Sequence, residues 1–220
     1  MIQSTETKVQ IMKNQMMILG ILCILLAPLS VLFGLFGDNP EGWYGSISKT
    51  YYANSKAVMI GLLIATGIYF ISYKGYDKRD NFLTTLQGIA AIGIVIFPTR
   101  LGSVDVDRVG LLGLPSWLSV IFHCACTYTL FISFWINLMF LFTLSNGNPT
   151  PKKRLRNVIY RCCGGLIVLG TIAIIAGSTV LRPFLPKNFP IGLVGEFVIL
   201  IPFGFAYLVK SECIKWLNDE

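Results

Sequence analysis

Charge is scarce in this chain: 13% of its 220 residues are Asp, Glu, Lys or Arg, whereas 54% are hydrophobic. Soluble domains carry about a quarter charged residues, so water is not the main solvent for this sequence. Histidine occurs once, at His123, which excludes zinc patterns that need several imidazoles. The six cysteines, Cys23, Cys124, Cys126, Cys162, Cys163 and Cys213, fall in apolar runs or beside basic loops, so no disulfide framework is expected. Cys124 and Cys126 stand two apart on an expected helix and diverge, so they form no metal clamp. No metal and no cofactor is expected. An internal repeat is also lacking, which removes support for an inverted-repeat transporter.

What the sequence does have is apolar runs of about 18 residues or more, each long enough to cross a bilayer. Residues 16–36 have no polar face at all, which excludes a soluble amphipathic bundle. The expected fold is all-α, a polytopic integral membrane bundle of six transmembrane helices at about 16–36, 57–73, 82–98, 116–144, 158–181 and 191–209, forming a single domain over 1–220. Pro28 is placed to kink the first helix. Phe97-Pro98-Thr99-Arg100 ends the third sharply, because proline breaks the helix and the charge marks the interface.

The net charge of +7 comes from basic residues in short connections. There it sets orientation and gives no reason to expect nucleic acid. Twelve Lys and Arg fall at the two termini and in the second and fourth loops, against six in the first, third and fifth. Both termini are therefore expected in the cytoplasm, with the protein multi-pass in the cell (inner or plasma) membrane. Lys152, Lys153, Arg154 and Arg156 would anchor the fourth loop, each contributing about 1 kcal/mol against an anionic leaflet. No Asn-x-Ser/Thr sequon stands in an outer loop.

Residues 42–56, GWYGSISKTYYANSK, form the longest polar interruption between two spans, on the expected outer face. Ser46, Ser48, Thr50, Tyr51 and Tyr52 supply hydroxyls beside Lys49 and Lys56, a mix suited to a lipid headgroup or other polar ligand. A plainer reading makes Trp43, Tyr44, Tyr51 and Tyr52 an interfacial aromatic belt, with Ser48 or Asn54 capping the next helix. Arg100 and Thr99 end the third span at the same face.

His123 and Glu196 lie five or six residues inside their helices, roughly 8 to 10 Å below that face. An intramembrane carboxylate needs a partner, and His123, Arg100 and Arg182 are the natural ones. A structural hydrogen bond between helices explains both residues equally well. His123, Thr127 and Asn137 fall within roughly 80° on one helical face and form a polar stripe. Ser46 or Ser48 with His123 also permits a nucleophile and general-base reading, although no G-x-S-x-G elbow precedes either serine. Gly61 with Ala65, and Ala173 with Gly177, have the spacing of close helix contacts, within the bundle or in a homo-oligomer.

The order Ser46-Ile47-Ser48, Tyr51-Tyr52, Lys74 to Asp77, Phe97 to Thr99, His123, and Asn157 through Gly164 resembles an uncharacterised family of prokaryotic multi-pass membrane proteins. The resemblance covers most of the chain and implies no particular activity. The expected function is binding or transport of a lipid-like or small polar ligand in an outward polar pocket, with membrane lipids as partners. Ser48, Tyr51, Tyr52 and Arg100 would hold the ligand while His123 and Glu196 exchange a proton. The alternatives are an intramembrane acid-base or acyl-transfer enzyme using His123, and a structural subunit of a membrane complex.

Overall fold

A computed structural model describes residues 2–34, 45–75, 77–100, 107–145, 147–186 and 188–219, with side chains from residue 6 onward. Trp43, Tyr44 and the last two residues of the first expected span lie outside the described residues. The structure is all-helical apart from one small hairpin. Its helices are α1 (Ile2–Gly34), α2 (Lys56–Ser72), α3 (Lys78–Ile96), α4 (Ser116–Ile136), α5 (Pro151–Ser178) and α6 (Ile191–Lys210). A π-helical turn, Asn137–Leu141, continues α4. In the expected glycine-rich loop, β1 (Arg108–Val109) pairs antiparallel with β2 (Leu114–Pro115), the left-handed backbone of Gly110 and Gly113 making the reversal.

Three helices begin earlier than their apolar runs. Asp77 caps α3 by accepting from the amides of Arg79 and Asp80, and Thr150 caps α5 with Pro151 in its first turn. The basic cluster expected in a loop therefore lies on α5, and α1 extends back to Ile2. A helix starts where its orphan amides find an acceptor, which need not be where the side chains turn apolar.

Among the described residues, four helices are long and apolar enough to cross a membrane: Glu6–Gly34, Ser116–Leu141, Pro151–Ser178 and Ile191–Lys210. The other two are marginal. α2 is apolar but only 17 residues long, and α3 opens with Lys78-Arg79-Asp80-Asn81. All six nevertheless make one ring, each helix packing on the next in sequence and α6 returning to α1. Large apolar side chains face outward on every member, including Ile68 and Ile71 on α2 and Phe82 and Ile89 on α3.

Inside the ring, Phe70, Phe134, Phe203 and Tyr207 fill the middle, with Phe134 stacked on Phe203 at 3.5 Å between centroids. Asn137 donates to the Tyr207 hydroxyl at 2.9 Å. The expected polar stripe on α4 thus divides, with Asn137 serving the core and His123 standing nearer the start of the helix.

Paired glycines set the closest helix approaches. A Cβ on Gly20 of α1 would lie 2.7 Å from the Gly204 carbonyl oxygen of α6, and one on Gly204 would lie 2.6 Å from the Gly20 oxygen. The same reciprocity joins Gly67 to Gly88 and Gly170 to Gly195. Between apolar helices, contact area replaces the hydrophobic effect as the source of association, and only glycine lets the backbones meet. Gly61 is different: nothing would touch its Cβ within 4 Å, so it makes no close packing contact within the bundle. Gly177 packs against Ile191.

Gly204→Leu is expected to cost about 2 kcal/mol or more through overpacking. In a thermal unfolding assay of detergent-solubilised protein this is a fall of about 5 °C or more in Tm. Gly61→Leu should stay within about 0.5 kcal/mol of the parent.

Candidate functional site

The polar stretch before α2 is a 3₁₀ segment, Ile47–Tyr52, folded down onto the ends of α3, α4 and α6 like a latch. Ser46 caps it, accepting from the Lys49 amide at 3.3 Å, and Thr50 Oγ1 donates to the Ile47 carbonyl at 2.6 Å. Ser46 is thus a cap of this segment, and Ser48 and Asn54 do not cap α2. Ser55 occupies the N-cap position of α2 without a side-chain cap bond. The first turn of α6 holds the latch from below, because the Leu193 amide, one of its orphan donors, reaches the Gly45 carbonyl at 2.9 Å.

Glu196 reaches up from the next turn of α6. Its Oε2 accepts from the Ile47 amide at 2.5 Å and its Oε1 lies 3.4 Å from Ser48 Oγ. Ser48 Oγ is in turn 3.2 Å from His123 Nε2. The carboxylate is therefore answered by the latch, and the expected partner His123 meets it only through Ser48. Arg100 and Arg182 are exposed, and neither bonds to the carboxylate.

Pro98 explains how His123 is held. Proline ends α3, leaving the last carbonyls without amide partners. Side chains take three in succession: His123 Nδ1 contacts the Phe97 oxygen at 2.7 Å, Ser119 Oγ donates to the Pro98 oxygen at 2.8 Å, and Tyr52 Oη donates to the Thr99 oxygen at 2.8 Å. Ser119 and His123 are four apart on α4, so one helical face makes both bonds. Thr99 contributes its backbone to this site. Burial, and then the neighbouring Tyr51, push the Tyr52 hydroxyl above its ordinary pKa and keep it a donor. Tyr51 lies edge-on to Tyr52, with the Lys56 ammonium 4.3 Å over its ring.

The tautomer follows from the acceptors. A carbonyl cannot donate, so Nδ1 carries a proton, and in a neutral ring Nε2 accepts from Ser48. Ser48 Oγ can then accept from a protonated Glu196. In the charge-separated form every proton shifts along: Nε2 donates to Ser48 and Ser48 donates to the carboxylate. One acid, one hydroxyl and one imidazole thereby form a chain able to pass a proton between α6 and α4.

Beneath the latch lies a small cavity of about 40 Å3, lined by Ser48, Thr127 and Glu196 among apolar residues such as Leu26, Met59 and Phe131. The buried Thr127 hydroxyl has no hydrogen-bond partner. This space suits one or two waters. Of the expected ligand residues, Ser48 and Glu196 line this space, and its volume suits water rather than a headgroup.

The larger cavity, about 620 Å3, lies at the other end of the bundle, lined by residues that include Asp77, Asp80, Lys153, Arg156, Lys210 and Asp219. Sequence reading assigned Lys153 and Arg156 to a lipid anchor and passed over Asp80 and Lys210. The available signal was the capping threonine and proline before Lys152, which turn the cluster into a helix with an inner face.

Comparison of the chain with protein-family models, with curated proteins and with solved structures finds no match.

Ser48→Ala removes the atom shared by Glu196 and His123 and is expected to destabilise by about 1–3 kcal/mol, measured by thermal unfolding. Fluorophosphonate labelling separates the chemical roles. A proton-passing, hydrogen-bonding serine remains unlabelled, and labelling lost in Ser48→Ala would instead identify a nucleophile.

Proposed function

We propose that the protein is a six-span membrane protein of the cell membrane, with both termini cytoplasmic, that binds and moves a lipid-like or small polar ligand and uses the latch as its outer gate. The chain of contacts from Glu196 through Ser48 to His123 carries this reading. It joins α6, the latch and α4 through one hydroxyl, so a change of protonation acts directly on the segment closing that end. The twelve-to-six distribution of Lys and Arg supports the orientation. α2 and α3 share the ring and its apolar exterior with four helices of spanning length, which supports six crossings.

A latch closed at one end, an aromatic plug at mid-depth and a 620 Å3 cavity at the other suit an inward-facing state of such a protein. The acyl-transfer alternative draws on the 3.2 Å contact between Ser48 and His123. Against it, Glu196 meets the serine and leaves the far side of the imidazole to the Phe97 carbonyl, the reverse of the order in which an acid orients a catalytic histidine.

Gating by protonation has a sign. An ionised Glu196 holds the Ile47 amide by a charge-assisted bond, roughly twice as strong as a neutral one. Protonation weakens that bond. His123 on α4 and Lys49 on the latch are the other titratable groups acting on this carboxylate. Once divided by the base-catalysed intrinsic rate, amide exchange across residues 46–53, in protein reconstituted into nanodiscs, should therefore show less protection at pH 5 than at pH 8. Glu196→Gln should show weak protection at both. Protection independent of pH in the parent protein would remove the gate, and mass spectrometry of co-purifying species, parent against Glu196→Gln, tests ligand retention separately.

A further inference from the structure

The cavity opposite the latch is bounded by the starts of α3 and α5, the π-helical turn and the end of α6, and its walls carry both signs of charge. Two ion pairs belong to the bundle's own termini. Arg156 donates to the Leu217 carbonyl at 2.5 Å and to Asp219 at 2.7 Å, and Lys13 pairs with Glu212. The other charges come from separate elements: α3 contributes Asp77 and Asp80, α5 contributes Lys153 and α6 contributes Lys210.

Lys153 and Lys210 repel each other, Arg156 repels both, Asp219 attracts Lys153, and Asp80 and Glu212 attract Lys210. Aromatic faces carry both ammoniums, with Lys153 Nζ 5.6 Å from the Tyr160 centroid and Lys210 Nζ 5.4 Å from that of Phe142. Lys153 directs one of its three N–H donors to the Phe142 carbonyl at 2.7 Å, leaving two for an occupant.

An anionic group near both lysines would offset their repulsion, and a cationic group would be matched by the α3 carboxylates. Cations and carboxylates lining one cavity favour neither a bare anion nor a bare cation. A volume of 620 Å3 falls within the range of small-molecule sites, and Leu141, Phe142 and Val209 offer apolar wall for a short carbon chain.

We propose that this cavity binds a small zwitterion, its carboxylate or phosphate on Lys153 and Lys210 and its ammonium on Asp77 and Asp80. The proposal deepens the transport reading by naming its ligand class, and rests on that reading only for the consequence that the bound species moves. A free zwitterion and a phospholipid headgroup share this chemistry.

Calorimetric titration of the full-length protein in non-ionic detergent at pH 7 tests it. The probes are γ-aminobutyrate, glycerophosphoethanolamine and lysophosphatidylethanolamine, with inorganic phosphate and ethanolamine as the separate halves. At least one zwitterion should bind about tenfold or more tighter than either half, and Lys153→Gln and Asp77→Asn should each weaken it about tenfold. Asparagine retains the helix cap at position 77, so Asp77→Asn decides the matter even if Lys153→Gln fails to fold.

Binding of the lyso-lipid alone would support the site and identify a headgroup. Binding of a water-soluble probe would support it and identify a free solute. No zwitterion binding, phosphate binding as tightly as any zwitterion, or unchanged affinity in a folded Asp77→Asn protein would overturn the assignment. The readout is binding, whereas the gate is read by hydrogen exchange, so either can fail while the other stands.

Discussion

A carboxylate buried among apolar helices must be answered by nearby donors, because neither lipid nor a packed core supplies water to do it. Glu196 is answered by the amide of Ile47 and the hydroxyl of Ser48, and much of the latch end follows from that demand. The donors belong to a short 3₁₀ segment outside the helices, so satisfying the acid requires this segment to fold down over the bundle. Once down, it brings Ser48 to His123 and Tyr52 to the end of α3. The latch is held over this cavity by the same bonds that satisfy the charge.

Proline does comparable work on α3. By stopping the helix at residue 97 it strands three successive carbonyls, and an imidazole, a serine and a tyrosine from two other elements converge on them. Hydrogen-bonding capacity left over at one helix end becomes the joint that registers α4 and the latch against α3. Reciprocal glycine contacts fix the spacing elsewhere in the ring. Glu196 and Lys210 stand fourteen residues apart on α6, about 21 Å along a helix, with Phe203 between them in sequence and stacked on Phe134 of α4. Two polar sites thus share one helix and are separated by an aromatic plug.

Sequence alone was sufficient for the helical class and for the apolar segments, since length and hydrophobicity are local quantities that survive without knowing any neighbour. It also singled out His123 and Glu196, because polar groups at membrane depth are costly wherever they end up, and Ser48 and Tyr52, because hydroxyls crowd beside two lysines in the stretch before α2. Tertiary structure decided what these residues do. It placed Ser48 between His123 and Glu196, gave Ser46 to a cap and Thr99 to a backbone contact, and left a cavity of about 40 Å3 under the latch. It also drew Lys153 and Lys210 into one cavity with Asp77 and Asp80. The reason is geometric: periodicity tells which face a side chain is on, but the partner on the opposing face comes from residues 21 to 149 positions away in the chain, and only packing brings those faces together.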